Sequence, residues 1–242
     1  MVCMWKVKAD KGTDFIPLEC LRGHTSSVTA LTASRSNSIL VSGSESAIVW
    51  DLNRMKYVRS LMGHENGVQL VCINDSTGDI ITCSGHVIRV WTINGELLLS
   101  KSTGSSSEPI LSCVFYEERP KEWSGKEQII TGHKKGIIKF WIKEVSLDPK
   151  TGRHRWNLTL VRQIQQMNRT HEIPDVSDIV LLKFTGPKRT LLSGNTLGQV
   201  YSYVLPDTTD TVHYVKEDRC RECMFCTKTF SVLGKKYIYI YI

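Results

Sequence analysis

No stretch of this 242-residue sequence approaches the roughly 18 consecutive apolar residues of a membrane-crossing helix. The longest apolar runs are short, as at residues 179–182. The opening stretch, MVCMWKVKADKG, lacks the apolar segment of a secretory leader. G-x-S-x-G, H-E-x-x-H and P-loop motifs are all missing, so no common signature supports a nucleophilic serine, a catalytic zinc or a phosphate cradle. The Ser-rich STGSSSEP has the composition of a flexible loop, not of a nucleophile. No recognisable RNA- or DNA-binding module occurs. No window sustains an apolar period of 3.6, so helix content is expected to be low.

Hydrophobic residues make up 41% and charged residues 23%, enough for a buried core. The 31 Lys and Arg against 24 Asp and Glu give a net charge of +7. Such a balance suits acidic partners: membrane phosphates, nucleic acid or an acidic protein face. With no nucleic-acid module and no small-molecule motif, the expected partners are proteins. Cys72 and Cys113 sit inside apolar segments, where free cysteine behaves as a small hydrophobe. All eight cysteines are therefore expected to be reduced, in a cytoplasmic setting. The sequons at Asn74, Asn157 and Asn168 are read as chance matches.

A repeat runs through most of the chain. LRGHTSSVTAL, from Leu21, recurs as LMGHENGVQLV, from Leu61, with the two Gly-His pairs 40 residues apart. Each is followed by an apolar segment ending in tryptophan: SAIVWDL at Trp50-Asp51 and HVIRVWTI at Trp91. This period with Gly-His and Trp-Asp marks is the WD40 signature. Two looser units follow, one ending at Trp141 and one with Tyr203 where tryptophan would stand. VCMWKVK and FIPLECLRGH read as the end of an earlier unit. The segments are short and rich in β-branched and aromatic residues, and Gly, Asn and Ser separate them, which is a pattern of strands. The expectation is an all-β fold: a partial WD40 β-propeller of four blades plus part of a fifth. Within a blade, His24, Ser42 and Trp50 are expected to form a buried polar chain, and His64, Thr82 and Trp91 another, with Asp51 and Trp141 as further structural marks. His133, in ITGHKKG, is read as an exposed turn residue.

The stretches LRGHTSSVTALTAS, VSGSESAIVWDLN, CINDSTGDIITCSGHVIRVWTINGE, IITGHKKGIIKFW and GRHRWNLTLVRQ resemble the C-terminal WD repeats of the BEACH, WD-repeat and FYVE-domain family, the Alfy (autophagy-linked FYVE protein) family. The resemblance covers nearly all of residues 1–205. It implies a non-enzymatic scaffold that links cargo to autophagic or endosomal membranes, with autophagy machinery and cargo adaptors as partners. A generic WD40 adaptor in another complex, such as a ubiquitin ligase, is the alternative. Relatives carry a long acidic insertion, some with an aromatic-x-x-aliphatic motif, where this chain has only KEVSLDPKTGRHRW.

After the repeats, the resemblance implies the start of a FYVE finger. YVKE, Tyr214 to Glu217, is similar to its opening W-x-x-D, and CMFCTKTF, from Cys223, to its C-x2-C-x3-F. Residues 206–219 are read as a linker, 220–231 as an incomplete finger and 232–242 as a low-complexity tail. Cys220, Cys223 and Cys226 are the candidate zinc ligands. Structural zinc takes four Cys or His ligands. Closure by His213 as a fourth, or no zinc in this chain, are the two alternatives, and no other cofactor is expected. The basic His-Cys stretch that holds the lipid phosphate is missing from this sequence, so a phosphoinositide membrane is a partner only if the finger is completed. The end, GKKYIYIYI, reads either as translation into AT-rich intron sequence or as an edge strand of alternating aromatic and β-branched residues.

Overall fold

The computed structural model describes residues 1–8, 14–117, 127–147, 154–167, 177–185, 190–204, 213–219, 228–232 and 235–239. They form an all-β structure whose one helical turn, among the described residues, is a 3-10 turn at Lys134–Gly136. β1 (Val2–Lys8) and β2 (Asp14–Leu21) pair antiparallel. Four four-stranded sheets follow, each with its strands in chain order. The first holds β3 (Ala30–Ser34), β4 (Ile39–Gly43), β5 (Ala47–Asp51) and β6 (Lys56–Leu61). The second holds β7 (Leu70–Ile73), β8 (Ile80–Ser84), β9 (Val87–Trp91) and β10 (Leu97–Ser102). The third holds β11 (Ile110–Glu117), β12 (Glu127–His133), β13 (Ile137–Leu147) and β14 (His154–Gln165). The fourth holds β15 (Ile179–Thr185), β16 (Thr190–Asn195), β17 (Gln199–Val204) and β18 (His213–Arg219). β19 (Lys228–Val232) and β20 (Lys235–Tyr239) pair as a hairpin. His213–Arg219 falls within the expected linker, and Lys235–Tyr239 within the expected tail.

Two compact units result: Met1–Ser84, Val90–Leu97 and Cys223–Ile242 in one, Gly85–Arg89 and Leu98–Glu222 in the other. Within the first, β4 and β5 are buried on both faces, which explains why ILVSG and AIVWD show no apolar–polar alternation. Leu40, Ile48 and Trp50 pack with Val2, Met4 and Leu21 of β1 and β2. The alternate residues Val41 and Val49 pack with Val68, Val71 and Ile80 of the next repeat. Gly43 allows that second contact, because a Cβ there would lie 2.8 Å from Val68 Cγ1. In the second unit, Ile130, Ile138 and Phe140 pack with Ile179, Leu191 and Tyr201, and Gly132 would place a Cβ 2.6 Å from Ile179 Cγ2. Each fully buried aliphatic side chain contributes about 1.5–3 kcal/mol. Outer strands differ: KYVRSL of β6 and LLLSKS of β10 mix charge with apolar residues and are largely exposed or half-buried.

One irregularity recurs in three sheets. The ladder slips between Val49 and Trp50, between Phe140 and Trp141, and between Ser202 and Tyr203. The residue passed over on the outer strand is Val58, Val161 or Val215, in Tyr57-Val58-Arg59, Leu160-Val161-Arg162 and Tyr214-Val215-Lys216. These are β-bulges, two residues facing one, at the position of the Trp or Tyr that ends each inner pair. YVKE is thus the bulged outer strand of the fourth sheet, equivalent to YVRS of the first. The residues that the resemblance aligns with the opening of a zinc finger thus pair with β17 as sheet.

Candidate functional site: buried polar chains and a cationic groove

The Trp and the hydroxyl residue lie on neighbouring strands in a fixed relation. Leu40 faces Trp50 and Ile129 faces Trp141, and the hydroxyl stands two residues further on, at Ser42 and Thr131. Residues two apart on a strand share a face, so the indole reaches diagonally to the hydroxyl. Trp50 Nε1–H donates to Ser42 Oγ at 2.8 Å, Trp91 Nε1–H to Thr82 Oγ1 at 2.9 Å, and Trp141 Nε1–H to Thr131 Oγ1 at 2.8 Å. An imidazole completes each chain. His24 Nε2 lies 2.6 Å from Ser42 Oγ, and His64 Nε2 lies 2.8 Å from Thr82 Oγ1. The rings also meet, His24 edge-on to Trp50 and His64 tilted on Trp91, with centroids 6.4 and 5.8 Å apart.

In the third sheet the imidazole comes from His133, 2.9 Å from Thr131 Oγ1. His133 is fully buried, not an exposed turn residue. The correction has a simple cause: β12 continues in extended conformation through His133 (φ −127°, ψ 178°), so Thr131 and His133 share a face. The alternation T-x-H inside an apolar strand was the signal that could have revealed it. Sequence reasoning also missed the fourth sheet's substitute, where Ser193 Oγ–H donates to the buried Gln166 Oε1 at 2.8 Å. The Ser-Gly of residues 193–194 matches that of residues 42–43, but nothing near it points to Gln166.

Asp51 does not join these chains. Its Oδ1 accepts from Asn53 N–H at 2.8 Å and Arg54 N–H at 3.1 Å, closing the turn between β5 and β6. Cys220, Cys223 and Cys226 lie outside the described residues. Among those described, no group of three or more His, Cys, Asp and Glu could hold a metal ion.

Chemically, each chain is a hydroxyl that accepts from an indole and can donate its own proton to a neutral Nε2. Burial pushes the His24 imidazole down from its usual value. Burial, with help from the Lys139 ammonium, pushes His133 down to about 4, while Glu108 and the backbone of Glu108 and Pro109 act the other way. A hydroxyl beside an imidazole is also the start of a nucleophilic pair. Here Ser42, Thr82 and Thr131 are completely buried, and each hydroxyl already receives an indole hydrogen bond. The arrangement satisfies buried polar groups and fixes one strand register.

The open surface of the second unit has a different character. A groove of about 590 Å³ lies between residues 98–101 of β10, Ser146 of β13 and residues 155–158 of β14. Trp156 forms its aromatic wall, with Lys143 Nζ 5.1 Å from the ring centroid. The Lys143 side chain is only 8% exposed and is paired with Glu127. Lys101 and Arg155 are the charged lining residues, and both are cations. Among the described residues neither has a carboxylate partner. On β13, either side of Ser146, Val145 and Leu147 are exposed at 50% and 64%.

The family model for the WD domain, G-beta repeat, matches residues 15–51 and 55–92. The chain is similar to Beige protein homolog 1 of Schizosaccharomyces pombe, 30% identical over 95% of this chain and 9% of that protein. It is similar to mouse WD repeat- and FYVE domain-containing protein 4, 31% identical over 84% of this chain and 7% of that protein. It is also similar to human lysosomal-trafficking regulator, 30% identical over 77% of this chain and 4% of that protein. The chain therefore spans less than a tenth of the length of these relatives. Among solved structures, the computationally designed Ika4 protein matches with a TM-score of 0.53 and 25% identity, over 77% of this chain and 96% of that one.

Proposed function

We propose that this chain, which carries WD40 repeats and is homologous to the BEACH, WD-repeat and FYVE-domain proteins, is a non-enzymatic adaptor segment that holds acidic protein partners on its outer strands. The observation that carries this reading is the contrast between its two kinds of polar group. The imidazoles and hydroxyls of the repeats are spent inside the sheets, whereas Lys101, Arg155 and Trp156 face an open groove. WD40 repeats serve protein–protein contact, and a cationic groove with an aromatic wall suits an acidic, extended segment. The sheets are read as blades of a β-propeller, each a four-stranded meander, with inner strands such as β4 and β8 buried on both faces.

The finer setting is membrane traffic. The chain would link cargo to autophagic or endosomal membranes as a peripheral cytoplasmic protein, a reading supported by similarity to a lysosomal-trafficking regulator. Among the described residues, no helix is long and apolar enough to cross a membrane. Zinc and phosphatidylinositol 3-phosphate would belong to a completed finger of two zinc ions and eight ligands, of which this sequence supplies Cys220, Cys223 and Cys226.

Proximity biotinylation from the intact chain, in fed and starved cells, tests both levels. Autophagic or endosomal proteins are expected around the wild type, with about tenfold less labelling around an Arg155→Glu, Trp156→Ala double variant, as for loss of one strong interface anchor. Equal labelling by the two would remove the groove as the contact. Labelling with no trafficking proteins in either condition would remove the membrane setting and favour an adaptor in another complex.

A further inference from the structure

The β1–β2 pair carries a feature that the adaptor reading does not use. Cys3 and Cys20 are direct cross-strand partners in the antiparallel register. Directly opposed residues have Cα atoms about 4.5–5.5 Å apart, inside the 4.4–6.8 Å range that a disulfide requires. The two sulfurs are 3.1 Å apart. That is closer than two non-bonded sulfurs rest, and about 1 Å from the S–S bond length of 2.03–2.05 Å. Both are free thiols, Cys20 exposed and Cys3 half-buried. Their neighbours Val2, Met4 and Leu21 point into the core, so strand alternation turns the two thiols to the other face. Cys83 and Cys113, by contrast, are buried.

We infer that Cys3 and Cys20 form a dithiol modification site that reacts with a small disulfide of the oxidised-glutathione class, closing a reversible cross-strand staple between β1 and β2. Exposed Cys20 acts first. Its thiolate attacks one sulfur of the glutathione disulfide, whose S–S bond breaks, and one glutathione leaves as a thiolate that takes up the proton Cys20 lost. The Cys3 thiol then gives up its proton, and its sulfur attacks Cys20 Sγ and releases the second glutathione. The cysteine pair loses two electrons, and the glutathione disulfide becomes two thiols. The order also follows from the reduced pair, where the hydrogen bond to Cys20 helps to hold the proton on Cys3 and pushes that thiol up. Closure ties residues 17 apart in sequence, constraining the unfolded chain and reinforcing a sheet of only two strands.

The test uses the full chain, reduced and then exposed to oxidised and reduced glutathione at graded ratios. Free thiols are alkylated and peptides are mapped by mass. The expected product is a Cys3–Cys20 cross-linked peptide that dithiothreitol reverses, formed while Cys83 and Cys113 remain alkylatable. Cys3→Ser should trap Cys20 as a glutathione adduct, and Cys20→Ser should leave Cys3 about tenfold slower to react, as its lower exposure requires. Wild-type mapping needs no variant, so the inference stays open to refutation if either serine substitution fails to fold. A stable glutathione adduct on wild-type Cys20 without the cross-link would overturn it. So would a Cys3–Cys20 pair still alkylatable under conditions that oxidise the buried cysteines.

Discussion

Ser42, Thr82 and Thr131 each bind one indole and one imidazole, yet the imidazole arrives by two routes. His24 and His64 precede their sheets by a loop, whereas His133 is two residues beyond its own hydroxyl partner. The first route was legible in the sequence, because Gly-His recurs at 40 residues. The second was not, since the same dipeptide at residues 23–24 and 63–64 opens a unit, and here it closes a strand. The environment of His133 makes its protonation a stability term. Its folded-state value of about 4 is below the roughly 6.5 of an unfolded histidine. The unfolded chain therefore binds the proton first as pH falls. His133 contributes full stability above about pH 6.5, and that contribution drains away between pH 6.5 and 4, by something on the order of 2–3 kcal/mol. Urea midpoints of the wild type and His133→Gln at pH 7.5, 5.5 and 4.5 should converge as the pH drops. A gap that stays constant across that range would mean that His133 protonation is not linked to folding.

At the scale of the strand, apolar segments, turn residues and tryptophan ends identified the inner strands. They did so because those strands must be buried on both faces and so lose their alternation. The outer strands were less legible. KYVRSL and TLVRQ carry mixed polarity, and the bulge shifts their period by one residue partway along. The same shift obscures β18, whose YVKE also matches YVRS and LVRQ in the same chain. The bulge sets which side chains of β14 face inward. Val161 is 49% exposed, while Leu158, three residues earlier, is fully buried. Val161→Ala should therefore change stability by less than about 0.5 kcal/mol, as for an ordinary surface position. Deleting Val161 leaves Leu160 opposite Trp141 and Arg162 opposite Phe140 as consecutive pairs, so the ladder becomes regular with Leu158 still buried, and the cost should be local, about 1 kcal/mol. Urea denaturation of the two variants checks both expectations. A loss of more than about 3 kcal/mol on deletion would mean that the bulge itself holds the register.

For the whole molecule, charge is the property that acts beyond contact distance. The net charge of +7 comes from 31 basic and 24 acidic residues, and Lys101 and Arg155 bring part of it to the groove. A field of this kind mainly raises the rate at which an acidic partner arrives, and contributes less to how long it stays. It also gives the groove a signature that an apolar contact lacks. A fluorescent Glu-rich peptide should bind the chain and lose affinity steadily from 50 mM to 1 M salt, as the Debye length contracts from above 10 Å to about 3 Å. Arg155→Glu should weaken binding about 3- to 10-fold at the low-salt end, mostly through slower association, and by less than about twofold at 1 M. Stopped-flow mixing resolves the two rates. If the variant instead speeds dissociation at every salt concentration, Arg155 makes a desolvated contact and does not steer. If salt leaves the affinity unchanged, the charge of the groove has no part in binding, and Trp156 with its apolar neighbours must supply the attachment.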